Sequence, residues 1–196
     1  ALKQLLKKDF EINQGDIEDG FDALDISQVK DFLKGNDAVI SAGPFKVNKN
    51  IAKIAAEQGV AYFDLTEDVE TTDFIKTLDS KNILMPQCGL APGAINICAA
   101  SMMKEFDSVN EVLMRVGALP RFTTNEMSYY LSWSTNGLIN EYCNEADAIY
   151  EGKAVKLMPL EGIEKIVIEG ESFEAFNTSG GCATMCETYE NQVENL

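Results

Sequence analysis

Two apolar rhythms alternate along the first half of the chain. Residues 25–36, DISQVKDFLKGN, put Ile26, Val29, Phe32 and Leu33 on one helical face. Asp25 stands where a side-chain oxygen caps a first turn, and Gly35 stands where a helix stops. A second helical pattern fills residues 47–59, with Ile51, Ile54 and Ala55 inward and Gly59 at its end. A third, shorter one fills residues 69–80. Between them run apolar stretches of strand length: 37–45, 60–65 and 82–86, with residues 10–12 a further short candidate. Residues 1–8 read as the end of an amphipathic helix. Strand alternating with helix predicts a parallel sheet built from βαβ units.

Parallel sheets gather loops and helix N-termini at the carboxyl ends of their strands, and ligands bind there. In this chain those ends are residues 41–44, 64–66 and 87–89. The last of them opens an elaborate bend, MPQCGLAPGAIN, at residues 85–96. Pro92 suits the first turn of the helix that follows, where a missing N–H costs nothing. Gly89 and Gly93 permit close backbone approach. The bend is therefore expected to present open helix amides to an anionic or electron-rich ligand. A tight turn without a ligand is the rival reading.

The second half changes rhythm. Residues 109–120, 147–159 and 163–176 carry strand-like alternation with Glu-Gly turn signals at 151–152 and 169–170. Residues 135–143 read as a short helix. Residues 177–190 read as a helix that Thr178 and Ser179 would cap. The fold class expected is α/β: a partial Rossmann-type parallel sheet over residues 1–88, then an α+β domain with a mainly antiparallel sheet over residues 89–196.

Composition narrows the chemistry. With 45% hydrophobic and 24% charged residues the chain is globular, and no apolar run approaches the roughly 20 residues that cross a bilayer. A cytoplasmic location without membrane contact is the expectation. A net charge of -16 repels phosphate backbones and argues against nucleic acid as a partner. The five cysteines, Cys88, Cys98, Cys143, Cys182 and Cys186, are odd in number and scattered, so a disulfide framework is not expected. Cys182 and Cys186 would share a face if helical, yet without histidine or a second pair they do not suggest structural zinc. The absence of histidine removes the Ser-His-Asp and Cys-His arrangements and the usual proton carrier. Acid-base work falls to Asp, Glu, Lys, Tyr, Cys or water.

Four stretches in the same order, VAYFDL, MPQCGLAPGAINI, WSTNGLINEYCNEADAIYEGKAV and EAFNTSGGCATMCETYE, resemble the saccharopine dehydrogenase superfamily. The resemblance runs with interruptions over most of residues 10–190. Ala91, Ile95 and Asn96 replace the acidic residue and the Asp-His pair of the saccharopine reductase branch, which favours the lysine 6-dehydrogenase-like bacterial branch. Such enzymes hold the cofactor pyrophosphate on an N-terminal GxGxxG turn, which this sequence lacks. The stretch is thus expected to be the middle of a longer enzyme, and by itself to bind dinucleotide weakly and to be inactive.

The resemblance implies hydride transfer from the amine-bearing carbon of a lysine- or saccharopine-like amino acid to NAD or NADP, in a homodimer. It places Asp25 near the adenine, Ala42, Gly43 and Pro44 along the cofactor, and Cys88 and Gly89 near the nicotinamide. Trp133, Asn177, Thr178 and Ser179 would cover the substrate. Asp64, at a strand end, is the candidate catalytic base. Structural rivals exist for several: helix capping for Asp25, Thr178 and Ser179, core packing for Trp133, and a solvated loop carboxylate for Asp64. Tyr129, Tyr130, Glu141 and Tyr142 read as structural. No metal site is expected. A different class of function stays open, a non-catalytic dimerisation or binding module of the same fold.

Overall fold

Side-chain caps and left-handed residues set the element boundaries. The computed structural model describes residues 2–196 apart from 118, 123, 127, 132 and 133. After a short helix α1 (Leu2–Leu6), α2 (Ile26–Leu33) starts where the Asp25 carboxylate accepts from the amides of Ser27 and Gln28. Helix α3 (Phe45–Gln58) ends at Gly59, whose φ of 71° returns its amide to the carbonyls of Ala55 and Ala56. Asp68 caps α4 (Val69–Lys76) by accepting from the Thr71 amide.

Strands β1 (Ala38–Ser41), β2 (Ala61–Asp64) and β3 (Leu84–Met85) form a parallel sheet in the order β1-β2-β3. Register puts Val39, Tyr62 and Leu84 in one cross-sheet row, and helices α2, α3 and α4 close over it. Val29, Leu33, Ile51, Ile54, Ile75 and Tyr62 are the buried centre of that core. The opposite row, Ile40, Phe63 and Met85, leaves Ile40 44% and Met85 48% exposed. Residues 10–12 form no strand. Asn13 is held to Asn36 by a side-chain amide bond of 3.1 Å, and Phe10 stays exposed.

In the second half, α5 (Ala94–Met103) and α6 (Thr135–Cys143) precede two antiparallel hairpins. These are β4 (Ala146–Tyr150) with β5 (Lys153–Leu157), and β6 (Glu164–Ile168) with β7 (Glu171–Ala175). Each turns on Glu-Gly with positive φ at both residues, Glu151-Gly152 and Glu169-Gly170, which matches strand twist in a two-residue loop. The strands are antiparallel as expected, but they form two separate two-stranded sheets. Among the described residues of 109–120, only an isolated bridge is formed, Glu111 with Asn195. That bridge belongs to a second core, where the C-terminal segment zips onto β4 through reciprocal bonds of Leu196 and Ile149. Val193, Ile149 and Cys186 are buried there.

Helix α7 spans only Met185–Tyr189, so Thr178 and Ser179 do not cap it. Gly180, at φ 81°, and Ala183, at φ 49°, turn the chain between them and the helix. Among the described residues, no helix is long and apolar enough to cross a membrane.

Candidate functional site

The carboxyl ends of the parallel strands meet three pieces of the second half: the bend at 89–96, the last turns of α6 and the segment 177–182. Asp64 is the hub on the sheet side. Its side chain is fully buried and accepts from Tyr62 Oη at 2.6 Å, the Thr66 amide at 2.9 Å and the Gln87 amide at 3.1 Å. Its carbonyl accepts from the Cys88 amide at 2.7 Å. Burial raises the carboxyl above its ordinary range, and the three donors oppose that shift. A carboxylate with every face engaged and no route to solvent ties the 87–88 turn to β2. The residue expected as the base is thus an enclosed carboxyl.

The bend lies against Asp64, yet its amides are turned inward. The Gly93 amide donates to Asn96 Oδ1 at 2.6 Å, Ala94 to the Gly89 carbonyl at 2.8 Å and Ile95 to the Leu90 carbonyl at 3.0 Å. The open amides expected here are therefore spent within the turn at these three positions. Pro92 lies outside the helix, ahead of the N-cap Gly93, after a cis bond from Ala91. A side chain at Gly89 would approach the carbonyls of Pro92 and Leu65 at 3.1 and 3.3 Å. Cys88 directs its thiol to the Met85 carbonyl at 3.4 Å, and burial followed by the Asp64 charge raises its pKa.

Of the other expected cofactor positions, Ala42, Gly43 and Pro44 are exposed immediately after β1. Pro44 occupies the N-cap of α3 and provides no side-chain cap. Asp25 is a saturated N-cap, taking Ser27 and Gln28 as donors from both backbone and side chain. The Ser27 side-chain bond is the main cause that holds its carboxyl below the usual range.

On the substrate side, Asn177 pairs its backbone with residues 160 and 161, and Thr178 is half-buried. Ser179 is buried and works over a long range: its amide donates to the Glu141 carbonyl and its hydroxyl to the Asn140 carbonyl. Asn140 in turn donates to Asp68 Oδ1 at 3.2 Å. Gly180 packs on Glu67, where a Cβ would lie 2.9 Å from its carbonyl oxygen. Trp133 lies outside the described residues.

Two features were not expected from sequence. Asn96, only 9% exposed, sends its Nδ2 to the carbonyls of Gly181 and Cys182 at 3.1 and 3.2 Å while its Oδ1 holds Gly93. It is the one link that ties the 89–96 bend directly to the 177–182 segment by side-chain hydrogen bonds among the described residues. The signal was an amide side chain in the first turn of a mostly apolar helical run, AINICAASMM. The second feature is a pair of acids. Burial, and then the charge of Glu67, push Glu141 up to about 7. Glu67 is likewise raised, mainly by burial, with Asp68 and Asp64 adding to it. The five ion pairs found among the described residues, Lys30–Glu57, Lys49–Glu70, Lys76–Glu187, Arg115–Glu164 and Lys156–Asp147, include neither acid.

The raised acids give folding a definite pH dependence. A carboxyl whose folded pKa exceeds its unfolded value contributes stability that is complete below the unfolded pKa and is lost as pH rises through the folded one. For Glu141 that window runs from 4.5 to about 7. The melting temperature is expected to fall as pH is raised across it. Glu141→Gln, neutral throughout, should flatten that slope by the equivalent of about 1 kcal/mol after allowance for solvent screening. An unchanged slope in the variant would remove Glu141 as the cause.

Comparison with known proteins comes to the same region. Residues 89–194 match the family described as Saccharopine dehydrogenase C-terminal domain. Among solved structures, an apo saccharopine dehydrogenase (L-Glu forming) from Saccharomyces cerevisiae is similar in fold. The TM-score is 0.63 at 19% identity, over 89% of this chain and 42% of that one. The chain thus spans less than half the length of that relative.

Proposed function

The chain belongs to the saccharopine dehydrogenase C-terminal domain family, and from that premise we propose that it forms part of an amino-acid dehydrogenase acting on a CH–NH group. The substrate class is a lysine- or saccharopine-like amine, as in the lysine 6-dehydrogenase-like branch, with NAD or NADP as hydride acceptor. Residues 1–88 serve as the cofactor side and residues 89–196 as the substrate side.

The observation that carries this reading is the Glu67–Glu141 pair, partly buried where the two halves meet and without a cationic partner among the described residues. Such a pair attracts an ammonium group, and an acid poised near neutrality can take its proton. Glu141 is therefore the proposed proton acceptor, and Asp64 the residue that fixes the turn beside it. The pair lies where Asn140, Ser179 and Gly180 meet the residues after β2.

The residues at 42–44 fit a dinucleotide. Gly43 leaves room that a Cβ would fill, 3.2 Å from Val47. The adjoining N-terminus of α3 has no side-chain cap competing for its amides, which suits a phosphate. Ala42, Gly43 and Pro44, with Cys88 and Gly89 beyond the end of β3 and Asp25 at the α2 cap, are the proposed contacts. A bound nicotinamide supplies the hydride acceptor. This chain's residues orient the amine-bearing carbon, with Asn177, Thr178, Ser179 and Trp133 as the proposed substrate cover.

Turnover of saccharopine and lysine by the full-length protein, followed by nicotinamide absorbance, tests this assignment. Glu141→Gln is expected to lower kcat by roughly 100-fold and to remove the ionisation near neutrality from the kcat/KM profile. Asp64→Asn should instead lower the melting temperature and retain that ionisation, because it disturbs a buried acceptor of three bonds. Loss of the ionisation in Asp64→Asn, with Glu141→Gln unaffected, would return the base to Asp64. No nicotinamide reduction with either substrate would overturn the dehydrogenase reading.

A further inference from the structure

Cys182 and Cys186 stand on either side of the turn Ala183-Thr184-Met185, which joins the 177–182 segment to α7. Both are free thiols, Cys186 buried and Cys182 half-buried. Cys186 packs with Ile149 and Val193, and Cys182 lies against the same cluster. The two side chains thus share one cluster, four residues apart in the chain. Their mutual interaction is the first cause of the shift in each, lowering Cys182 from the usual thiol range and raising Cys186 above it. A thiolate-prone sulfur beside a protonated one is the arrangement in which one thiol attacks an oxidant and the other resolves the product.

The position of the pair gives it a consequence. The carbonyl of Cys182 accepts from Asn96, the link between the two sides of the candidate site, and from the Met185 amide at 3.0 Å. We propose that Cys182 and Cys186 form a reversible disulfide on reaction with a hydroperoxide, and that its closure loosens the Asn96 link. In the first step the Cys182 thiolate attacks one peroxide oxygen and the O–O bond breaks. Sulfur is oxidised to a sulfenic acid, and the other oxygen leaves reduced, as alkoxide or hydroxide. In the second step the Cys186 sulfur displaces the sulfenic hydroxyl, forming the S–S bond and, with the Cys186 proton, releasing water.

A disulfide is about 2.0 Å long, well inside any non-bonded thiol contact, so one sulfur must move. Cys186 is fixed by its core neighbours. Cys182 follows Gly180 and Gly181 and is only partly buried, so it yields and draws its carbonyl away from Asn96. The ring closed is short, so it restricts the unfolded chain little and remains open to reduction by small thiols. The remaining cysteines, Cys88, Cys98 and Cys143, are exposed. The effect on turnover rests on the dehydrogenase reading of this site, but the chemistry and the loosening do not.

The test is oxidation of the protein with stoichiometric hydrogen peroxide, then alkylation, peptide mass spectrometry and amide hydrogen exchange, before and after dithiothreitol. The expected result is an internal 182–186 disulfide, two hydrogens lighter and reversed by dithiothreitol. Exchange at Gly93 and over residues 181–183 should rise at least tenfold in the oxidised form only. Cys186→Ser should stop at a Cys182 sulfenic acid with no internal link. Sulfinic acid at Cys182, or oxidation confined to Cys88, Cys98 and Cys143, would overturn the disulfide. A formed disulfide with exchange unchanged at Gly93 would overturn its coupling to Asn96. Both readouts stand whether or not the protein turns over saccharopine or lysine.

Discussion

Gly93→Ala should lower the melting temperature by roughly 10 °C or more, the largest effect expected of any single substitution at the strand ends. Two costs coincide at this position. Its φ of 136° lies where residues with a side chain are rarely found. A Cβ there would also meet the carbonyl oxygen of Gly89, with the Gly89 nitrogen at 2.6 Å and the Cys88 carbonyl carbon at 2.9 Å. All three are backbone atoms, so no side chain can swing aside. Backbone strain and overpacking of about 1–3 kcal/mol each add to about 4 kcal/mol. Gly35→Ala is the control, because Gly35 also has positive φ, 79°, but nothing within 4 Å of its missing Cβ. It should cost about 1 kcal/mol, the backbone part alone. Melting curves for both variants separate the two contributions. A Gly93→Ala protein as stable as the Gly35 variant would mean that the bend does not close on itself as described.

The contrast between these two glycines also marks what the sequence could convey. Local chemistry was legible. Asp25 caps α2, Gly59 closes α3, and both Glu-Gly pairs turn their hairpins, because each of these choices is settled by residues within a few positions. The parallel sheet followed from the alternation of strand and helix. Choices that depend on a distant partner were not legible. Ser179 has the chemistry of a cap, and nothing nearby reveals that its hydroxyl donates to Asn140 instead. Asp64 looked like an open strand-end carboxylate until Tyr62, Thr66 and Gln87 were seen to enclose it. The raised pKa of Glu141 could not be read either, because it arises from burial and from Glu67, far away in the chain. The amides of the 89–96 bend were assigned to a ligand for the same reason: their internal acceptors, Gly89, Leu90 and Asn96, become visible only once the turn is folded.

Asn96 shows how much a distant partner can matter. Asn96→Ala removes the acceptor of the Gly93 amide and the donor shared by the Gly181 and Cys182 carbonyls. Groups so buried and left unpaired cost about 1–3 kcal/mol in all, or a fall of several degrees in melting temperature. Stability alone does not identify the link, so the discriminating variant is Asn96→Asp. An ionised aspartate keeps an acceptor for Gly93 but turns its other oxygen toward two carbonyls, which repel it. Protonation replaces that repulsion with an O–H donor. The folded pKa of the new carboxyl is therefore raised, and its contribution to stability is present at low pH and lost as pH rises through that value. Amide exchange should report this directly. In Asn96→Ala, protection should fall both at Gly93 and across residues 181–183. In Asn96→Asp above neutral pH, Gly93 should stay protected while residues 181–183 exchange faster, and acidification should restore them. Equal loss at both ends in the two variants, independent of pH, would show that Asn96 only fills space between the bend and the segment it faces.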